Sequence, residues 1–112
     1  MEVKRRQVER YKDAKGRSLI DEWTSRLSDR QARTRIRIRL LRLAAGNPGD
    51  SKALGGALYE LRLHFGPGYR VYYGEDGPTL VLLLCGGDKA SQKTDLSMAR
   101  LCWSDYLERK QR

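Results

Sequence analysis

From Leu58 to Phe65 the chain alternates, with Tyr59, Leu61, Leu63 and Phe65 on one face and Glu60, Arg62 and His64 on the other. A period of two predicts a half-buried strand. Gly66, Pro67 and Gly68 make a tight connection, after which Tyr69, Val71 and Tyr73 alternate with Arg70 and Tyr72. Glu75, Asp76, Gly77 and Pro78 form the next turn, and Leu80 to Cys85 is apolar on both faces. Such a run belongs in the centre of a sheet, and Gly86 and Gly87 are expected to end it.

Upstream the period is different. Ser18 followed by Asp21 fits a capping box, and Leu19, Ile20, Trp23 and Leu27 recur at helical spacing. A second box, Ser28 with Gln31, opens a helix whose apolar stripe is Ala32, Ile36, Leu40 and Leu43. Gly46, Asn47 and Pro48 stop it. Glu2 to Tyr11 alternates weakly and reads as an edge strand, broken at Gly16. From about Ser91, Leu96, Ala99, Trp103 and Tyr106 mark a C-terminal helix. The order β-α-α-β-β-β-α predicts an α+β fold: an antiparallel sheet, a two-helix hairpin on its apolar face, and a C-terminal helix. The other face is expected to be open, carrying Glu60, Arg62, His64, Arg70 and Tyr72.

A length of 112 residues suits one domain spanning 1–112. No apolar run approaches the ~20 residues of a membrane span, and Met1 to Arg6 lacks the apolar stretch of a signal peptide. Two cysteines, Cys85 and Cys102, make no disulfide framework and read as small core residues. A reduced, cytoplasmic protein is expected. The charge is lopsided: residues 1–48 hold 14 Lys+Arg against 6 Asp+Glu, while residues 49–112 hold 9 against 8. That asymmetry suggests a polyanionic partner.

Arg26, Arg30, Arg33, Arg35, Arg37, Arg39 and Arg42 are accompanied by a single acid, Asp29. This exceeds what solubility requires and points to contact with a phosphate backbone, with Arg30, Arg33, Arg37 and Arg42 the candidate RNA contacts. A cross-strand ion pair with Arg62 or Arg70 accounts for Glu60. Arg70 leaves a tight turn beside other cations, with Lys52 before the strands and Lys89 after them, and reads as functional, since Arg and Lys clamp phosphoryl oxygens. His64 on a polar face is a reserve general acid or base. Gly86-Gly87-Asp88-Lys89 lacks the spacing of a phosphate-binding Walker loop. One histidine and two cysteines make no standard zinc site without carboxylates, so neither a metal nor another cofactor is expected.

Gly49-Asp50-Ser51-Lys52, Tyr59-Glu60-Leu61-Arg62, Gly66 through Tyr73 and Gly86-Gly87-Asp88-Lys89, followed by Gln92 and Asp95, together resemble the RelE/ParE toxin superfamily. The nearest likeness is to its HigB-like, phage-derived "addiction module killer protein" branch, from about Val3 to Tyr106. The resemblance implies the toxin of a type II toxin–antitoxin module, acting as a ribosome-dependent, metal-independent mRNA endoribonuclease. It implies as partners the ribosome, mRNA and a small helix-turn-helix antitoxin from the adjacent gene. By position, Arg70 matches the arginine that faces the scissile phosphate, and Lys52, Lys89 and Arg62 match basic positions around it. Tyr72 and Tyr106 have no secure counterpart in the family pattern, which leaves proton transfer unassigned. The superfamily also contains ParE-like gyrase inhibitors, which do no chemistry. That reading stays open at this point, as does an inactive antitoxin-binding relic.

Overall fold

The computed structural model describes residues 5–111. Of the predicted first strand, Glu2 to Lys4 lie outside the described residues. The elements are β1 (Gln7–Arg10), α1 (Leu19–Arg26), α2 (Arg30–Ala44), β2 (Ser51–Gly55), β3 (Leu58–Leu63), β4 (Tyr69–Asp76), β5 (Leu80–Asp88) and α3 (Gln92–Lys110). One five-stranded sheet runs in the order β1-β5-β4-β3-β2. β1 pairs parallel to β5 at one edge, and the remaining pairs are antiparallel. The α+β class and the C-terminal helix are as the sequence predicts.

Local chemistry sets the helix ends. The Ser18 hydroxyl accepts from the Asp21 amide at 3.3 Å and opens α1. α2 starts one residue later than its expected box: Asp29, not Ser28, accepts from the amides of Gln31 and Ala32 at 2.9 and 3.2 Å. A carboxylate satisfies two orphan donors and also meets the positive end of the helix dipole, so it outcompetes a hydroxyl. Gly46, with φ of 92°, closes α2 in the left-handed conformation.

Three departures from expectation matter for the site. An additional edge strand, β2, pairs antiparallel with β3 and sets Lys52 opposite Glu60. β5 does not stop at Gly86 but runs through Gly87 to Asp88. A Cβ on Gly86 would overlap the Trp23 ring, and one on Gly87 would overlap the Asp95 carboxylate. These glycines let neighbours approach a strand instead of ending it. The face expected to be open is closed over β4 and β5 by α3, whose Ala99, Cys102 and Trp103 pack on Tyr72, Leu82, Leu84 and Cys85. The hairpin side has its own core, where Ile20, Ile36 and Leu43 meet Leu61, Val71, Tyr73, Val81 and Leu83. Both faces of β5 are therefore buried, which its unbroken apolar run requires.

A β-bulge fixes the facing of β5. Tyr72 pairs with Cys85 but Tyr73 pairs with Leu83, so one extra residue, Leu84, is accommodated between them. The extra residue flips the parity of everything beyond it. Gly87 is thereby brought opposite Arg70 on the α3 side of the sheet.

Candidate active site

Strand register puts Lys52, Glu60, Tyr72 and Cys85 in one cross-strand row. The next row is Arg62, Arg70 and Gly87. Both rows face α3. Its first turn lies over this corner, where the Gln92 side chain donates to Glu60 Oε2 at 3.3 Å and Asp95 stands above Gly87.

Glu60 is the hub. It is 2% exposed, the one buried charged residue among those described. Arg62 Nε donates to Glu60 Oε1 at 2.8 Å, and Arg70 Nε lies 3.7 Å from the same oxygen. Burial opposes the charged form of Glu60, but the hydrogen bonds from Arg62 and Gln92 and the Arg62 charge outweigh it. The carboxyl is held below its ordinary range. The ion pairing expected for Glu60 is present, but its close member lies within one strand. Arg62 is two residues along β3 at 2.8 Å, whereas the cross-strand partner, Arg70 of β4, stands off at 3.7 Å.

Arg70 differs from the open, solvated arginine that the sequence suggested. Its side chain is 15% exposed, and Nε and Nη1 are buried without a hydrogen-bond partner. At 3.7 Å the approach to Glu60 is Coulombic and not a hydrogen bond. Buried donors left unpaired are rare and costly in a folded protein. Here they belong to a cation held near a carboxylate with unspent hydrogen-bonding capacity. The Tyr72 hydroxyl beneath is likewise buried and makes no hydrogen bond of normal geometry, but it lies close enough to the Glu60 carboxylate to interact with it. Burial, then the charge of Glu60, pushes its pKa well up, so it stays a protonated donor across the neutral range.

The other expected residues divide. Lys89 follows β5, its amide donating to Gly68 O at 2.9 Å, so it stands against the Gly66-Pro67-Gly68 turn that leads into Arg70. Lys52 is exposed on β2, across from Glu60. Strand register thus puts Lys52, Arg62 and Arg70 on the same face in adjacent rows, with Lys89 beyond the end of β5 at the turn that leads into Arg70. His64 is not among them. β3 ends at Leu63, and the imidazole, 70% exposed, pairs with Asp50 in a groove lined also by Arg35, Ile38, Arg39 and Arg42. Gln92, Asp95 and the bulge at Leu84 complete the corner. In the sequence Gln92 and Asp95 figure only as part of the motif set behind the family resemblance, with no role in the site assigned to either.

The arginine series of α2 also divides. Arg30, Arg33 and Arg37 join Arg10 around a groove of about 550 Å³ between α1, α2 and the sheet. Arg39 turns inward and donates to the carbonyls of Arg62 (2.6 Å), Pro48 (3.0 Å) and Asp50 (3.2 Å). Arg35 stacks on Phe65 with 4.7 Å to the ring centroid. Arg39 is therefore a brace for the loop into β2 and not a free phosphate contact.

The two cysteines, Cys85 and Cys102, are buried free thiols. Burial, then the charge of Asp105, raises Cys102 to about 11. No three His, Cys, Asp or Glu side chains among the described residues cluster so as to hold a metal ion, and no helix among them is long and apolar enough to cross a membrane.

Residues 22–102 match a family model described as phage derived protein Gp49-like. The chain is also similar to a protein of Haemophilus influenzae strain Rd described as uncharacterized. The two are 44% identical over 82 residues, which cover 73% of this chain and 83% of that protein.

Proposed function

The chain belongs to the Gp49-like family of phage-derived proteins, and from that premise we propose that it is the toxin of a type II toxin–antitoxin module. Its activity on this reading is ribosome-dependent cleavage of mRNA, in the manner of the HigB-like branch of RelE toxins. The observation that carries the reading is the cluster of cations around Arg70. Its side chain is packed into the sheet beside Glu60 yet 15% exposed, Arg62 and Lys52 lie on the same face by strand register, and Lys89 stands at the turn that leads into Arg70.

Phosphodiester cleavage of this kind needs the 2′-hydroxyl of RNA to attack its own phosphorus. The 2′ proton leaves to a base, and the 5′-oxygen departs with a proton, giving a 2′,3′-cyclic phosphate and a 5′-hydroxyl. Negative charge grows on the non-bridging oxygens as the bonds change. Arg70 is assigned to that charge, since donors fixed in advance at developing charge cost no reorganisation. Glu60, with its carboxyl held low and its oxygens engaged by Arg62 and Gln92, is a poor base and serves as the anchor that orients the arginines. Lys52 and Lys89 remain the proton-moving or phosphate-orienting groups. His64, paired with Asp50, is set apart from them. Arg30, Arg33, Arg37 and Arg42 supply the backbone contacts to ribosomal RNA, and an antitoxin from the adjacent gene holds the protein inactive in the cytoplasm.

Translation in a reconstituted system with primer extension on the message tests this directly. Cuts within the translated frame that require ribosomes and persist when chelator exceeds free metal are expected. An intact message together with gyrase-linked DNA breaks would replace the interferase with a gyrase inhibitor.

A further inference from the structure

We propose that the outward face of α2 is a docking face for an acidic amphipathic helix of another protein. The inward stripe of α2, Ala32, Ile36 and Leu43, is fully buried. On the opposite side Ile38 is 42% and Leu41 64% exposed, with exposed Ala45 one turn further on. Their spacing of three and then four residues makes a second apolar ridge along one helix. Arg30, Arg33 and Arg37 flank it on one side and Arg35 and Arg42 on the other. None of these five arginines forms an ion pair in the described structure.

A second feature lies against the ridge. Ile38, Leu63 and Phe65 form the apolar part of a cavity of about 310 Å³ whose remaining wall is Arg35, Arg39, Arg42 and His64. A cavity of this kind takes one large apolar anchor, and anchors of that sort carry most of the energy of protein interfaces.

Charge and shape select the occupant. RNA would use the arginines and leave Ile38, Leu41 and the apolar cavity wall in water. A second copy of this chain, pairing ridge to ridge, would set arginine rows against arginine rows, which Coulomb repulsion disfavours. A helix with an apolar stripe between glutamate or aspartate rows satisfies the ridge, the cavity and both arginine flanks at once. The inference does not depend on whether the protein cuts RNA. Arg30, Arg33, Arg37 and Arg42 are also the residues assigned to ribosomal RNA, so a helix seated here would compete with that contact, while its failure to bind would leave the cleavage reading untouched.

The test uses the full chain and a fluorescein-labelled three-heptad peptide with Leu at the a and d positions and Glu at e and g. A scrambled peptide of the same composition keeps the charge and loses the stripe. The patterned peptide is expected to bind roughly tenfold or more tightly than the scramble, the worth of burying two aliphatic side chains. Ile38→Ser with Leu41→Ser should erase that preference while the far-UV spectrum stays unchanged. Equal binding of the two peptides, or an unaltered preference in the double variant, would overturn the proposal in favour of simple charge attraction. Protection of Ile38 and Leu41 by a single-stranded RNA oligomer, or concentration-dependent self-association abolished by the double variant, would overturn it in favour of RNA or of a second copy.

Discussion

Arg70 and Glu60 are coupled, and substitution should separate their roles. Arg70→Ala removes the donor assigned to developing charge and is expected to cost about 3 kcal/mol of barrier, roughly a hundredfold or more in message cleavage. Lysine should restore only part of it, because the planar fork is lost; full cleavage by the alanine variant would refute the assignment. Glu60→Gln keeps the volume but leaves Arg62 and Arg70 side by side without their counter-charge, and a stability loss of about 3 kcal/mol is expected from denaturant midpoints. The pH dependence follows from direction. The folded carboxyl titrates below its ordinary 4.5, so its contribution is complete above that value and disappears as pH falls through the lower folded value. The gap between wild type and Glu60→Gln should therefore close under acid, below about pH 4.5, and stay constant at neutral pH.

Among the elements, α3 and its seat on β4 decide how much of the sheet is closed. A Cβ on Gly74 would overlap the Trp103 ring, whose indole N–H donates to Gly56 O at 2.8 Å. Gly74→Ala should lift α3 and cost about 1–3 kcal/mol, seen as a lower urea midpoint and a changed Trp103 near-UV signal. On α2, replacing Arg30 and Arg37 together should lower the slope of ribosome binding against log salt by about 1.4–1.8, at the 0.7–0.9 per phosphate contact found for nucleic acids, and leave the cut sites unchanged.

What the sequence shows at this scale is uneven. Period-two alternation in Leu58–Phe65 and Tyr69–Tyr73 places Glu60, Arg62, Arg70 and Tyr72 on a common face, and the Ser18 cap and the Ala32–Leu43 stripe mark the hairpin. β2 is illegible because Ser51-Lys52-Ala53-Leu54-Gly55 has no pattern of its own and becomes a strand only by pairing with β3. The burial of Tyr72 and Glu60 is hidden for a related reason. α3 mixes Met98 and Leu101 on its outer side with Ala99, Cys102 and Trp103 inside, so its sequence does not announce which face it presents. The bulge at Leu84 exists only in the pairing of two strands, and no local signal marks it.

Across the whole molecule, tyrosines tie the second layer shut. Tyr11 donates to Asp105 at 2.6 Å and Tyr106 to Asp76 at 2.6 Å, which fastens α3 to the strand edges. Burial and the Asp105 hydrogen bond raise Tyr11 to about 12. The Asp76 hydrogen bond and burial raise Tyr106 to about 12. A phenol raised on folding contributes stability that is complete below its unfolded pKa of 10 and is lost as pH rises from there toward 12. Tyrosinate absorbance and loss of the Trp103 near-UV signal should appear together in that interval, with α3 peeling first; a sheet that melts while α3 stays docked would contradict this.

The parallel pairing of β1 with β5 sets a timetable for synthesis. The Gln7 amide donates to Thr79 O at 2.9 Å, and Val8 is matched to Val81, so the earliest strand waits for one of the last. As the chain leaves the ribosome, α1 and α2 emerge with Ile20, Ile36 and Leu43 but without the β5 floor, Val81 and Leu83, on which they pack. Tethered chains from which residue 80 has not yet left the ribosome should accordingly be cut by protease within the hairpin, and chains from which residue 88 has emerged should resist. Maturation is a late and concerted closure, in which the basic hairpin is built first and locked last.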